Sequence, residues 1–327
     1  MLGILGESWP TRKPHAQPSL TPLTPAAKFV VLPHKGGNSL RIRHIRSVWM
    51  LACAFVLAGG CAVSRKKVAV PAAIQPAQTA TKADLIALYN REASAVETLN
   101  ASVRMSPTAG SVLSGVIEQY HEVNGYILAA RPASIRVIGQ APVVAKDIFD
   151  MASDGQTFRI YIPSKNKFIV GPDNLRRTAA KPIENLRPQH LFEALIWPVI
   201  PQSENVLLEE AEALPFRYYV LTLATNGEHG WELDRKIWFD RATLQIARIQ
   251  IYGLGGKLVS DICTSNWQSV GGVNYPRDIL LARPADDYQL GIHIAQLTLN
   301  QPIAGDKFQL AQPSGTELVQ LGEEKQP

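Results

Sequence analysis

The feature that most constrains the fold of this chain is a series of short segments in which apolar and polar residues alternate. Alternation puts every second side chain on one face of an extended strand, and β-branched and aromatic residues favour that conformation. The segments are SIRVIG, FRIYIP, KFIVG, RYYVLTLA, KIWFD, LQIARIQIYG, LVSDICTSNW, DILLARP and LGIHIAQLTLN. Turn sequences such as SDG, PSKN and YGLGG punctuate them. Because the segments do not alternate with helices, they predict one large antiparallel sheet, sandwich or barrel.

Two amphipathic helices accompany these strands. The first begins with a T-x-x-D capping signature at Thr81 and Asp84, and its apolar spacing continues to about Asn100. The second has Pro188 near its first turn and is stopped by Pro198. We expect both helices to lay their apolar faces on the sheet.

An apolar run without charge, Val48–Gly60, follows the basic sequence RIRHIR near the start of the chain. Its 13 residues are too few for a comfortable bilayer-spanning helix, which needs roughly 20. They suit the core of a secretory signal peptide behind a positive segment. Residues 41–60 are therefore predicted to be a signal peptide, and residues 1–40 a mis-assigned start or a disordered extension.

The sequence LAGGC, which ends at Cys61, resembles the lipobox of bacterial lipoproteins. In that motif the thiol carries diacylglycerol, the chain is cut before the cysteine, and the new amine is acylated. The resemblance implies these acyl chains on Cys61 and no other cofactor. A buried free cysteine in a short signal anchor is the alternative, because Ala58 occupies the position where the motif usually has leucine.

The charge balance argues against a nucleic-acid partner. Residues 1–60 hold seven Lys/Arg and one Glu, and the rest of the chain has 26 basic and 27 acidic side chains. A protein that binds nucleic-acid phosphates needs a positive field on the part of the chain that remains after the signal peptide is removed.

Cys263 is the single cysteine after Cys61, so the sequence predicts no internal disulfide and no metal site.

No sequence motif points to catalysis. GxSxG, HExxH and P-loop patterns are missing from the sequence, and GLGG at 253–256 lies between two strand segments, which favours a hairpin turn. The acidic sequence EEAE at 209–212 is interpreted as a solvated loop or helix face. We therefore expect a protein that is not an enzyme.

The order of these features resembles the LolA/LolB superfamily of bacterial lipoprotein carriers and acceptors. A lipobox and a tether at 61–80 precede a helix and then strand blocks that cover roughly residues 82–317. The resemblance implies a mainly β (α+β) fold, an unclosed antiparallel β-barrel of about eleven strands with helices covering its concave mouth. Residues 81–317 would form this domain, and residues 318–327 a disordered tail.

The superfamily resemblance also implies a function. Acyl chains enter the apolar hollow, and LolB-like members are anchored by their own lipid on the periplasmic face of the outer membrane, where they accept cargo from a LolA-like carrier. Cys61 favours the LolB-like side, so we expect a monomer that accepts or shuttles lipoproteins or other acylated lipids. An RseB-like envelope sensor and a structural envelope lipoprotein are the alternatives.

Two groups of residues are candidates for this function. Phe158, Ile160 and Ile162 share one face of the FRIYIP strand and are predicted to face the hollow, with packing under a helix as the alternative. Val143 and Val144 match the place where LolB-like proteins expose an apolar loop residue that helps to push cargo into the bilayer. The alternative for these valines is a buried strand. The segment 172–215 is longer than is typical of LolB and could be a larger lid or a partner surface.

Overall fold

The structure, a computed structural model, describes residues 76–111, 116–143, 146–175, 185–213, 216–227 and 230–322. All of them belong to one structural unit, Ala69–Pro327. The predicted signal peptide, the attachment residue Cys61, most of the predicted tether and Val144 lie outside the described residues.

Fifteen strands in the described part of the chain form a single sheet. They are β1 Thr98–Ser111, β2 Val116–Gln119, β3 Val123–Ala130, β4 Ser134–Gln140, β5 Asp147–Ser153, β6 Thr157–Ile162, β7 Lys167–Pro172, β8 Asn205–Ala213, β9 Phe216–Gly227, β10 Gly230–Asp240, β11 Ile246–Gly253, β12 Lys257–Val270, β13 Val273–Arg283, β14 Tyr288–Leu299 and β15 Glu317–Gln320. Their order is β15-β7-β6-β5-β4-β3-β1-β14-β13-β12-β11-β10-β9-β8, with β2 paired to β1. The end strands β15 and β8 do not pair with each other, so the sheet is unclosed, as predicted.

All nine alternating segments are strands, but the predicted number of about eleven is too small. Sequence alternation missed six strands. Small, polar or acidic residues weaken the pattern in β1, β2, β3, β5 and β8, and β15 has only four residues. The sequence EEAE at 209–212 belongs to β8 rather than to a loop or helix, because β8 is an edge strand whose side chains can stay in water.

The two predicted helices are α1, Lys82–Ser94, and α2, Pro188–Leu195. Thr81 and Asp84 form the predicted capping box at the start of α1. The helix ends at Ser94, earlier than Asn100, because the following residues are recruited into β1 between β3 and β14. The Asn300 side chain fixes this exit, since it accepts from the Glu97 N–H at 2.8 Å and donates to the Ala95 carbonyl at 2.7 Å.

Both helices pack on the buried face of the sheet. Leu85 and Tyr89 of α1 and Leu191 and Leu195 of α2 are almost completely buried in the same core as the inward-facing strand residues. Among the described residues, we find no helix with the length and apolar character needed to cross a bilayer.

Arg131 joins the two helical regions. Its guanidinium donates to the carbonyls of Ala93 at 2.7 Å, Val96 at 2.9 Å and Trp197 at 2.8 Å. The first two carbonyls belong to the end of α1 and the residues after it, and the third follows α2. One planar side chain therefore ties together segments that are distant in the sequence.

The ends of the described domain are attached to the sheet. Gln78, in the last part of the predicted tether, donates to the carbonyls of Arg241 at 2.7 Å and Ala242 at 2.8 Å. At the other end, the predicted disordered tail starts at residue 318, but Glu317–Gln320 is β15, which pairs in parallel with β7. The edge of β7 offers backbone hydrogen-bonding groups to the tail, and this pairing cannot be predicted from the short tail sequence alone.

Candidate ligand-binding cavity

An apolar cavity of about 620 Å³ lies over β5, β6, β7 and β15. The residues that precede α2, Leu186 and Arg187, form its wall on the helix side. Its volume lies within the range of roughly 300–1,000 Å³ that is usual for small-molecule sites. We call it the apolar cavity below.

Strand register aligns the residues that form the floor of the apolar cavity. Ile160 of β6 lies opposite Met151 of β5 and Ile169 of β7, and Ile169 lies opposite Val319 of β15. Cross-strand partners point to the same side of a sheet. Met151, Ile160, Ile169 and Val319 therefore form one continuous apolar row across four strands, and all four line the cavity.

The next row of the floor carries charge and is more exposed. Ile162 lies opposite Lys167, and Lys167 lies opposite Glu317. The Lys167 ammonium is 3.6 Å from the Glu317 carboxylate, and Lys165 also lines the cavity at this end. A hydrocarbon in the cavity would therefore have its interior end against aliphatic side chains and its outer end beside polar groups.

Phe158 closes the inner end of this arrangement. Its ring is completely buried, and the Arg187 guanidinium lies over it at 4.8 Å from the ring centroid. Gly171 lies opposite, and a Cβ there would come within 2.9 Å of the Phe158 ring, so glycine makes room for it. Of the three residues predicted on β6, Ile160 and Ile162 line the apolar cavity, whereas Phe158 packs behind its wall.

The turn between β4 and β5 presents apolar residues to solvent. Val143 is 94% exposed in this turn, so it does not continue a buried strand. Ile148, near the start of β5, lines the apolar cavity and is itself 37% exposed. Tyr120, after β2, also combines cavity lining with exposure. Val143 therefore belongs to the turn that leads directly into the cavity wall.

A second, more polar cavity of about 440 Å³ lies along α2, and Arg187 lines both cavities. His190, Glu193 and Arg283 are among the residues in its wall. Burial and the nearby Arg283 and Arg187 charges hold the pKa of His190 well below its ordinary value, and the ring lies 2.6 Å from the Tyr288 hydroxyl. Burial raises the pKa of the Glu193 carboxyl.

A third cavity, of about 410 Å³, lies over β12, β13 and β14, where Cys263, Asp278 and His293 come together. His293 and Asp278 are cross-strand partners, with Nδ1 and Oδ1 2.5 Å apart. Cys263 is a free cysteine, and burial raises the pKa of its thiol, which disfavours a nucleophilic thiolate. Among the described residues, no group of three or more His, Cys, Asp or Glu side chains could hold a metal ion.

Sequence reasoning found two residues of the apolar cavity but missed most of its wall. Met151, Ile169 and Val319 become neighbours of Ile160 only through strand register, which the sequence does not reveal. Arg187 could not be recognised either, because its place over the Phe158 ring is a tertiary contact between residues distant in the sequence.

Neither a family model nor a curated protein matches this sequence. Several solved structures are similar to it. A LolA superfamily protein from Nitrosomonas europaea is 11% identical, with a TM-score of 0.44 over 71% of this chain and 99% of that one. A DUF1329 family protein from Desulfovibrio piger is 15% identical, with a TM-score of 0.42 over 68% and 94%. An outer membrane lipoprotein-sorting protein domain from Vibrio parahaemolyticus is 10% identical, with a TM-score of 0.39 over 68% and 94%.

Proposed function

We propose that this protein binds acyl chains in the apolar cavity and passes acylated lipids or lipoproteins to a membrane. The row of Met151, Ile160, Ile169 and Val319 is the observation that carries the proposal, because it gives the apolar cavity a continuous apolar floor. Each CH₂ group that leaves water for such a space contributes about 0.8 kcal/mol. A hydrocarbon chain is the ligand that gains most from this surface.

The proposal includes a lipid anchor. Diacylglycerol and an N-acyl chain on Cys61 would hold the protein at the periplasmic face of the outer membrane, where a LolA-like carrier would be its partner. Two or more acyl chains are needed for stable anchoring, and the lipobox chemistry supplies them. The anchor would keep the cavity close to the bilayer that receives the cargo.

Val143 is the residue proposed to aid delivery. Its side chain is almost fully exposed in the turn that leads into the cavity wall. Moving a valine side chain from water fully into hydrocarbon gains about 1.5–3 kcal/mol, which would hold the cavity against the acyl-chain region while cargo leaves. The neighbouring Val144 is part of the same proposal.

Lipid extraction and mass spectrometry of the purified full-length protein test the proposal. Wild-type protein should carry non-covalently bound acyl lipid and take up a fluorescent fatty acid. Ile160→Trp, which fills the apolar cavity, should reduce both by at least about fivefold. Leu207→Trp is a matched control, because Leu207 is exposed on the edge strand β8. A wild-type protein that is free of lipid and takes up no fatty acid would favour the structural alternative.

A delivery assay separates the carrier from the sensor alternative. A carrier loaded with fluorescent acyl lipid should release it to liposomes, and Val143→Glu should slow the release without changing uptake. A sensor would bind the same lipid and retain it in the presence of liposomes.

A further inference from the structure

The cavity along α2, called the polar cavity from here on, shares Arg187 with the apolar cavity. Its wall includes three polar side chains that are at least nine-tenths buried, those of Asn185, Arg187 and Arg283. The polar cavity is a candidate for the polar part of whatever occupies the apolar cavity, because the two cavities share Arg187 in their walls.

Arg283, a cationic residue in the wall of the polar cavity, is paired within the protein. Arg283 Nε donates to Asp286 at 3.0 Å, and its Nη1 donates to the Ser260 hydroxyl at 2.7 Å. The same guanidinium lies 3.8 Å from the Glu193 carboxylate. Arg283 is therefore already paired within the protein.

Two other acceptors in the wall of the polar cavity have no donor. Asp173 Oδ1 and Gln189 Oε1 are buried, and neither has a hydrogen-bond partner in the described part of the chain. The other carboxylate oxygen of Asp173 accepts from the Ser153 hydroxyl at 2.5 Å, which fixes the orientation of the group. Both residues line the polar cavity. Buried acceptors of this kind call for a ligand that donates hydrogen bonds.

We propose that the polar cavity binds the primary ammonium of an acyl lipid's head group while the acyl chain lies in the apolar cavity. The inference rests on the proposed function and names its lipid class, the aminophospholipids. A primary ammonium offers three N–H donors and no acceptor, which matches Asp173 Oδ1 and Gln189 Oε1. The phosphate between head and chain would lie beside Arg187, the residue common to both cavities.

Charges of both signs line the polar cavity. Asp173 and Glu193 favour a cation, whereas Arg187 and Arg283, which help to hold the pKa of His190 well below its ordinary value, oppose one near the His190 ring. Burial raises the pKa of the carboxyls of Asp173 and Glu193, so an added positive charge would relieve the cost of ionising them. His190 stays neutral near pH 7, because its pKa lies well below the ordinary value, and so it does not repel an ammonium.

Three lysophospholipids with the same acyl chain test the inference on the full-length protein, by displacement of a fluorescent fatty acid. Lysophosphatidylethanolamine has a primary ammonium, lysophosphatidylcholine has a positive charge without N–H donors, and lysophosphatidylglycerol has neither. We expect the ethanolamine lipid to bind about tenfold more tightly than the other two, as charge-assisted hydrogen bonds require. Equal affinity for all three lipids would overturn the inference and leave acyl-chain binding intact. Failure of all three to bind would overturn both proposals.

Variants locate the preference in the polar cavity. Asp173→Asn and, independently, Gln189→Leu should reduce the preference for the ethanolamine lipid to about twofold, while affinity for the glycerol lipid stays unchanged. Asp306→Asn is the matched control, since Asp306 is exposed in the short helical turn before β15. Retention of the full preference by both cavity variants would contradict the assignment.

Discussion

The buried face of the sheet differs sharply between its helix-covered part and the part over β5–β7 and β15. Under α1 and α2, Leu85, Tyr89 and Leu191 fill the space above the strands. Over β6, the same inward alternation continues through Ile160 and Ile162, but the space above them stays vacant. The difference comes from what lies above the strands, because Ile160 faces the same side as the core residues under the helices. A binding cavity can thus arise where a sheet extends beyond the helices that cover it.

The largest expected effect separates these two regions by stability. Leu191→Ala removes a fully buried side chain from the filled part and should cost about 2–5 kcal/mol, because it leaves a cavity among close-packed neighbours. Ile162→Ala removes a side chain that already borders vacant space and should cost about 1 kcal/mol. Urea unfolding of both variants measures the difference, and equal costs would show that the two regions are packed alike.

Loss of the Arg131 guanidinium should loosen the helical cover. Arg131→Met removes three hydrogen bonds to carbonyls of the helical regions and should lower the free energy of unfolding by roughly 2–3 kcal/mol, since charge-assisted bonds are lost. Arg131→Lys, which keeps the charge but not the planar fork, should recover only part of this. If Arg131→Lys restored the full free energy of unfolding, the positive charge alone, and not the planar guanidinium, would hold the two helical regions together.

Acidification should weaken the helix-covered part through His190. Its pKa in the folded protein lies well below the ordinary value, so below about pH 6.5 the unfolded chain binds a proton that the folded one does not. Stability should therefore fall as the pH drops from 6.5, by up to about 1.4 kcal/mol per pH unit from this group.

The control for this titration is His190→Gln, which removes the titrating ring. The difference in unfolding free energy between wild type and His190→Gln should shift in favour of the variant between pH 6.5 and 5. A difference that is independent of pH would contradict the burial of a neutral imidazole at this position.

The smallest expected effect on stability is at the open end of the cavity. Val143→Glu should change the free energy of unfolding by less than about 0.5 kcal/mol, because the side chain is exposed. Thermal or urea unfolding measures this. A loss of several kcal/mol would show that Val143 packs against the domain and is not available to a membrane.

Sequence reasoning recovered the fold better than the site. Strong alternation identified β4, β6, β7 and β9–β14, whereas β1 was missed because Asn100, Pro107 and Gly110 interrupt its pattern. Alternation also placed Ile160 and Phe158 on one face, as observed, but it carries no information about depth. Phe158 is buried because the Arg187 guanidinium covers its ring and Gly171 leaves room for it. Both contacts depend on tertiary structure.

The polar cavity left no signal in the sequence. Asp173 follows β7, Gln189 belongs to α2 and Arg283 ends β13, and no spacing rule connects them. The parallel pairing of β15 with β7 was missed for a related reason, since a four-residue strand takes its conformation from the edge on which it lies.

Photo-crosslinking with a diazirine-labelled fatty acid, followed by peptide mapping of the full-length protein, tests the central claim most directly. Adducts should concentrate on residues that line the apolar cavity, in peptides that contain Phe149, Ile160 and Ile169, and excess unlabelled fatty acid should abolish them. Adducts confined to the exposed edge strand β8, or spread evenly along the chain, would contradict the account.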